Sequence, residues 1–411
     1  MGGSSTTATT IALTVTMGVS ALLTSGVSAL GPALREDLML SRAELSFVPL
    51  VVFATASATS ILWGFLSDHL KPWLGIFLTF FMAILGLTGA VLSQSLAVLL
   101  VSAVAGGCSL AISSTVTSKL VSRFVDPRRQ GRVLSTKQMG VQFAQVIAGL
   151  LFPMVAVVSS WRIGLASGIV VTVIAGILIY LTARHHFVEP VETMEVLKNG
   201  AVSTRPDSAL LLIMILYALG TGICFQANLF GLPLIGYEQL GLDVAIASRV
   251  VVVLGAVGFI SRLGWGMLAD RPFNIRTVML VLGAGLILGE LAVLTAIGTG
   301  LTWSFWVGAV LVGTFFALVP VVLSAIVLKY FSHNRIGLVS GFISVSTFGG
   351  FAAGPLLFGV VADTWGYMHS SVILVGTALV AGLVPWLIPR RRTNSQTVEI
   401  EENKHLIRKD T

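Results

Sequence analysis

The chain alternates between long apolar runs and short polar connections along nearly its whole length. Each run has at least the ~20 mostly apolar residues that a helix needs to cross a bilayer. Twelve such runs fit between Thr9 and Ile388. A chain in lipid must satisfy its backbone hydrogen bonds internally, so each run is predicted to be an α-helix. The pattern predicts an all-α membrane protein with twelve transmembrane helices.

A short motif occurs twice, each time at the end of an apolar run. Residues 64–69 read GFLSDH, and residues 266–271 read GMLADR. A second pair, Arg129-x-Gly131 and Arg335-x-Gly337, follows the same spacing between halves. The recurrence predicts a duplicated bundle, as in carriers built from internal repeats.

The repeat divides the chain into two pseudo-symmetric six-helix bundles with polar segments between and after them. We predict an N-terminal bundle at 1–182, a cytoplasmic linker at 183–207, a C-terminal bundle at 208–389 and a cytoplasmic tail at 390–411.

The repeated motif resembles a loop of the major facilitator superfamily of transporters, which reads roughly G-x-L-x-D-R-x-G-R-R. The second copy follows this pattern through Arg271 and departs at Pro272, whereas the first has His69 in place of the arginine. The resemblance implies a monomeric carrier whose two halves alternate access to a central site. It also implies gating roles for Asp68, Asp270 and Arg271, because each Asp would meet a helix N-terminus of the opposite half.

Composition supports a membrane protein without a soluble domain. Of the 411 residues, 55% are hydrophobic and 10% are charged, against about 25% charged in soluble domains. No G-x-S-x-G, H-E-x-x-H or P-loop motif occurs, so the sequence predicts neither an enzyme nor a cofactor or metal site. Cys108 and Cys224 lie within apolar runs and predict no disulfide framework.

The basic residues are distributed unequally between the two sets of connections. The net charge is +7, and of 25 Lys and Arg residues nineteen lie on one set of connections and the tail. Two, Lys137 and Arg262, lie inside helices, and the remaining four are Arg35, Arg42, Arg162 and Arg249. The positive-inside rule then predicts a protein of a bacterial inner (plasma) membrane with both termini on the cytoplasmic side. This asymmetry argues for the lipid bilayer, and against nucleic acid, as the partner of the basic residues.

Arg262 is the main candidate for binding a substrate. It lies four residues before Gly266, about one turn inside the eighth predicted helix. A guanidinium in hydrocarbon is costly, and its planar fork fits a carboxylate. Monocarboxylate and oxalate-type members of the superfamily use an Arg at a similar position, which implies a substrate role. The alternative is a structural Arg that pairs with a loop acid or a helix C-terminus.

Polar residues on the fifth and seventh helices extend this candidate site. Gln138, Gln142 and Gln145 share one helical face, which Lys137 borders. The run beginning Lys137-Gln138 resembles cyanate- and organic-anion-type members, although Lys137 could instead extend to the interface. The seventh helix adds Tyr217, Gln226 and Asn228.

Glu290 is an acid within the ninth predicted helix and is a candidate for proton coupling. A carboxyl removed from water favours its protonated form and can take up a proton near neutral pH. The alternative is a protonated Glu that is hydrogen-bonded to a neighbouring helix.

The sequence therefore predicts a secondary transporter for a small organic anion, most simply a carboxylate, by proton symport or anion exchange. One alternative is an exporter of drug-like molecules, and another is a non-transporting membrane sensor with the same fold. An exporter of cationic drugs usually needs an acid in its cavity, and a sensor would not need Asp68 and Asp270.

Overall fold

The computed structural model describes residues 2–69, 71–125, 127–183, 208–268, 274–331 and 336–388, and every regular element in these ranges is a helix. The N-terminal half contains α1 (Gly2–Ala29), α2 (Gly31–Asp37), α3 (Arg42–His69), α4 (Pro72–Val91), α5 (Leu96–Phe124), α6 (Pro127–Val158) and α7 (Trp161–Ala183). The C-terminal half contains α8 (Ser208–Leu234), α9 (Val244–Leu268), α10 (Ile275–Thr299), α11 (Thr302–Tyr330) and α12 (Ile336–Leu383). A π-helical turn, Ile235–Gln239, extends α8, and a 3-10 turn, Val384–Leu387, follows α12.

Within the described ranges, the helices make twelve crossings. Eleven segments are long and apolar enough to span a membrane. The last of them, α12, has 48 residues and would be ~72 Å long if it were straight. It turns back at Gly366, whose φ of 82° lies in the left-handed region that glycine tolerates. The predicted twelve-helix, all-α membrane fold is confirmed.

The end of the first helix differs from its prediction. The apolar run predicted one helix to about Leu34, but α1 ends at Ala29 and the short α2 follows it. Pro32 lies in the first turn of α2, where a residue without an N–H is well accommodated. The stretch from Arg35 to Asp37, predicted to be a loop, is therefore the end of this short helix.

Two hydrogen bonds fix α2 to α7. Trp161 Nε1 donates to Asp37 Oδ2 at 3.0 Å, and Arg162 Nη1 donates to the same oxygen at 2.7 Å. The bond from Trp161, followed by that from Arg162, lowers the pKa of Asp37 below its usual value. A lowered carboxyl pKa means that these contacts persist at neutral pH and weaken only as acid protonates the carboxylate.

Glycine allows a very close helix contact between α1 and α6 of the N-terminal half. A Cβ added at Gly140 on α6 would lie 1.9 Å from the carbonyl oxygen of Thr14 and 2.8 Å from the nitrogen of Gly18, both on α1. Small residues permit such backbone contact in lipid, where helices gain little from burying apolar surface against each other. This contact fixes α6, which carries the three glutamines predicted to face the substrate.

We expect Gly140→Ala to destabilise the protein by about 1–3 kcal/mol, because a rigid backbone cannot yield to the added methyl group. Thermal unfolding in detergent would measure the loss. Gly264→Ala is the matched control, since an added Cβ there has no neighbour within 4 Å. Equal stability of the two variants would contradict the proposed close packing.

Candidate functional site

A cavity of about 230 Å³ lies between the two halves. Its walls come from α1, α3, α5 and α6 of one half and from α8, α9, α11 and α12 of the other. Its wall contains one guanidinium and four side-chain amides, which belong to Arg262, Gln138, Gln142, Gln145 and Gln226. No carboxylate lines the cavity in the described part of the chain.

Arg262 contributes a cation to this cavity and is 7% exposed. Its Nε donates to the carbonyl oxygen of Ala317 on α11 at 3.0 Å, whereas its buried Nη1 has no hydrogen-bond partner. Gly258, one turn earlier on α9, lets Ala317 and Gln142 approach closely, because a Cβ there would lie 3.3 Å and 3.2 Å from their side chains. The guanidinium thus makes one hydrogen bond to a carbonyl oxygen and retains N–H groups that can donate to a ligand.

The glutamines around Arg262 also have unused capacity. Gln142, Gln145 and Gln226 each carry one buried polar atom without a partner. A buried polar group without a hydrogen bond costs about 1–3 kcal/mol. Three such amides and a guanidinium around one cavity indicate a site that a polar ligand completes. The spacing of 138, 142 and 145 along α6 places all three glutamines on the cavity wall.

An aromatic wall forms another part of the cavity. The Phe225 and Phe316 rings are stacked with centroids 3.9 Å apart, and Phe351 lies 5.8 Å from Phe316 and 5.0 Å from Phe53. Phe348 completes the wall at 6.2 Å from Phe53. Sequence reasoning missed these residues, because a phenylalanine in a membrane helix has the same pattern whether it faces lipid or a cavity.

Lys137 lies outside the cavity wall in this conformation, and its convergence with Arg262 on a substrate stays a prediction. Lys137 is 2% exposed, and its ammonium donates to Thr117 Oγ1 at 2.9 Å and to Ser118 Oγ at 2.7 Å. It therefore joins α6 to α5 within the N-terminal half and does not extend to the interface either.

Tyr217, Asn228 and Glu290 also lie outside the cavity wall. The Tyr217 hydroxyl donates to the carbonyl oxygen of Met279 at 3.0 Å. Asn228 Nδ2 donates to Glu290 Oε1 at 2.7 Å and to the carbonyl oxygen of Cys224 at 2.8 Å. These side chains lie between α8 and α10, where their polar groups bond to each other or to the backbone and do not reach the cavity.

One end of the bundle is closed by contacts between the halves. We call it the sealed end, and it carries the connections 30–41, 159–160 and 240–243. Glu238 accepts a hydrogen bond from Arg35 and two from Arg42, with the Arg42 Nη2 to Glu238 Oε2 distance at 2.6 Å. Tyr237 donates to Glu36 at 2.6 Å. Ion pairs and hydrogen bonds thus join α2 and α3 to the end of α8.

Asp363 of α12 adds a helix cap to the sealed end. Its two carboxylate oxygens accept from the backbone nitrogens of Arg42 and Ala43, at 3.0 and 2.7 Å. Ser41 and Glu44 form a reciprocal capping box at the same helix start. The first turn of α3 is therefore satisfied from its own half and from the opposite half.

The opposite end of the bundle is the one at which α1 begins and the turn after α12 ends. The cavity wall reaches Val327 and Ser340, close to the ends of α11 and α12. An added Cβ at Gly341 would meet no atom within 4 Å. Asp270, Arg271 and the side chain of Asp68 lie outside the described residues, and their gating roles stay predictions. Nearly all of the predicted linker, 183–207, and the whole predicted tail, 390–411, also lie outside the described residues.

Two halves around a central cavity that is sealed at one end are the architecture of an alternating-access carrier. The sequence profile of the Major Facilitator Superfamily matches residues 13–319 and 265–409. The chain belongs to the Major Facilitator Superfamily. It is a multi-pass membrane transporter and not an enzyme, as the sequence predicted.

Known proteins agree with this assignment. The chain is 24% identical over 378 residues to the hexuronate transporter of Bacillus subtilis (strain 168), covering 86% of this chain and 87% of that one. Its fold is similar to the crystal structure of a bacterial homolog of the human lysosomal transporter Spinster, in an inward-facing and occupied conformation. The TM-score is 0.69 at 13% identity, with 94% of this chain and 97% of that chain covered.

Proposed function

We propose that this superfamily member carries a small organic anion, a carboxylate, across the bacterial inner membrane by alternating access. The observation that carries the proposal is Arg262, held by one carbonyl bond among three glutamines with unpaired amide atoms. A carboxylate would pair with the guanidinium in bidentate fashion and accept from the unpaired Nε2 of Gln226. Both halves contribute, Gln142 and Gln145 from one and Gln226 and Arg262 from the other.

The orientation follows from the charge of the connections. Nineteen of the 25 basic residues lie on the terminus side and four on the sealed side, so the positive-inside rule places the termini in the cytoplasm. The sealed end then faces outward, and the cavity faces inward.

An anionic substrate is supported by the relative's name and by the cavity. The Bacillus subtilis relative is named for hexuronates, which are carboxylates. An exporter of cationic drugs would need an acid, and the described cavity wall contains none. We therefore favour the organic anion over the drug-like substrate.

For coupling, we favour anion exchange over proton symport. Glu290 is fully buried and bonded to Asn228, away from the cavity. A neutral carboxyl at that position would stabilise the contact of α8 with α10 without meeting the substrate.

Glu290→Gln is accordingly expected to leave the exchange rate within about twofold of wild type, because glutamine keeps an acceptor for Asn228. The measurement is uptake of a labelled carboxylate into proteoliposomes loaded with the unlabelled anion, with and without a pH gradient. If a pH gradient drove accumulation in wild type and not in Glu290→Gln, symport through Glu290 would replace exchange.

The function itself is tested by ligand binding to the purified full-length chain. A ligand at ~100 times its Kd stabilises a protein by about 2.7 kcal/mol, which is visible as a thermal shift. We expect carboxylates to stabilise the wild type and not Arg262→Ala, and neutral sugars and lipophilic cations to have no effect. Stabilisation by lipophilic cations alone would favour the exporter.

A further inference from the structure

One part of the cavity wall is apolar and would not contact the carboxylate group of the proposed substrate. Its members are phenylalanines from four helices, α3, α8, α11 and α12, and each ring centroid lies within 6.3 Å of at least one other. The tightest pair, Phe225 with Phe316, is stacked at an interplanar angle of 11°. Both of these residues belong to the C-terminal half, so their stack does not hold the two halves together.

The aromatic wall adjoins the cation. Arg262 donates to the carbonyl oxygen of Ala317, which follows Phe316 in α11. Gln226, whose amide is unsatisfied, follows Phe225 in α8. A carboxylate held between Arg262 and Gln226 would therefore place the rest of its molecule beside the Phe225 and Phe316 rings.

Four hydroxyl groups on the cavity wall donate within their own helices. Thr24 donates to Ala21, Thr221 to Tyr217 and Ser324 to Pro320, at carbonyl distances of 3.0, 2.7 and 2.8 Å. Thr347 donates likewise to Ile343. These groups have no hydrogen left to donate to a substrate. Phenylalanine rings offer no hydrogen-bonding group, so a polyhydroxylated body packed against the aromatic wall would leave hydroxyl groups unpaired there, at a cost that an apolar body avoids.

We propose that the transported anion is a monocarboxylate whose body is a flat apolar ring, with aromatic acids as the best fit. This inference rests on the proposed carboxylate site and adds the substrate class. The carboxylate accepts from Arg262 and from Gln226 Nε2, and the ring packs against Phe225, Phe316 and Phe351. Aromatic rings favour offset-stacked and edge-to-face contacts with ring centroids about 4.5–7 Å apart, and the rings of this wall offer faces and edges for such contacts.

The test is a thermal-shift titration of the purified full-length chain with five matched compounds. Benzoate has the ring and the charge, cyclohexanecarboxylate has a saturated ring, glucuronate has a hydroxylated ring, acetate has no ring, and benzamide has no charge. A binding readout is preferable to flux, because protonated benzoic acid crosses lipid unaided. We expect benzoate to have the lowest apparent Kd, followed by cyclohexanecarboxylate, with the other three much weaker.

A matched pair of variants on α8 separates ring recognition from packing. Phe225 lines the cavity, whereas Phe230, five residues later, packs against Phe358 away from it. We expect Phe225→Leu to raise the apparent Kd for benzoate about fivefold while that for acetate is unchanged. Phe230→Leu should leave the ratio of the two constants unchanged, even if it lowers the melting temperature.

The outcomes distinguish this inference from the function on which it rests. Tighter binding of glucuronate or acetate than of benzoate would overturn the ring class and leave the carboxylate carrier in place. An equal effect of Phe225→Leu on benzoate and acetate would also overturn it. If none of the carboxylates bound, the proposed function and this inference would both fail.

Discussion

Arg262→Lys is expected to weaken carboxylate binding about tenfold and transport to a similar extent. The substitution keeps a positive charge, but an ammonium is a point donor and cannot reproduce the planar fork. It also cannot donate simultaneously, with the same geometry, to the carbonyl oxygen of Ala317 and to both oxygens of a substrate. Arg262→Ala removes the charge as well, and a buried ion pair that loses one partner commonly costs 30-fold or more in affinity, corresponding to about 2–5 kcal/mol.

The measurement is the apparent Kd for a carboxylate from thermal-shift titration, together with exchange in proteoliposomes. Arg276→Lys is the matched control, because Arg276 lies at the start of α10 over the Trp386 ring, 5.0 Å from its centroid. Arg262→Lys with wild-type affinity would show that the guanidinium is structural. The cavity would then need another explanation for its unpaired amides.

Glu238→Gln is expected to lower the equilibrium constant in favour of the conformation that is closed at the sealed end by about tenfold. The carboxylate of Glu238 accepts hydrogen bonds from both Arg35 and Arg42, and both ion pairs join the two halves. Glutamine can accept a hydrogen bond but cannot neutralise two guanidiniums. The pairs are partly exposed, with 13% of the Glu238 side chain accessible, so we expect about 1–2 kcal/mol and not the larger cost of a fully buried pair.

Labelling from the sealed side would measure the shift. Ser25 lines the cavity and is 1% exposed, so Ser25→Cys reports access in a background without Cys108 and Cys224. An impermeant maleimide added to the outside of intact cells should label the Glu238→Gln protein about tenfold faster. Glu44→Gln is the control, since Glu44 caps its own helix at the same end. Unchanged labelling in Glu238→Gln would mean that the seal depends on helix packing and not on the ion pairs.

Several features of the fold were predictable because membrane helices have a strong one-dimensional signal. Apolar length identified the crossings, and the repeated G-x-L-x-D motif identified the two halves. The turn at Gly366 lies in the connection between the eleventh and twelfth predicted runs. The break before Pro32 was not predicted, since an apolar run continues through this position and local backbone geometry at the proline decided it.

The candidate site was predictable only in part. A guanidinium inside an apolar helix is costly, so Arg262 stood out from sequence alone, and helical spacing grouped the three glutamines of α6. The same reasoning gave Lys137, Tyr217 and Asn228 a substrate contact that the structure does not show. Each of them is polar within an apolar run, but polarity does not tell whether a side chain meets a cavity or a neighbouring helix.

The sequence by itself determined that this protein spans a membrane twelve times in two related halves, and that Arg262 is an unusual cation within it. Only the tertiary structure decided which polar side chains share the cavity, that phenylalanines form its other wall, and that Glu238 and Asp363 close one end. The physical reason is that lipid and protein interior are both apolar. Periodicity along one helix therefore cannot tell which face meets lipid and which meets the cavity, and helix packing alone settles it.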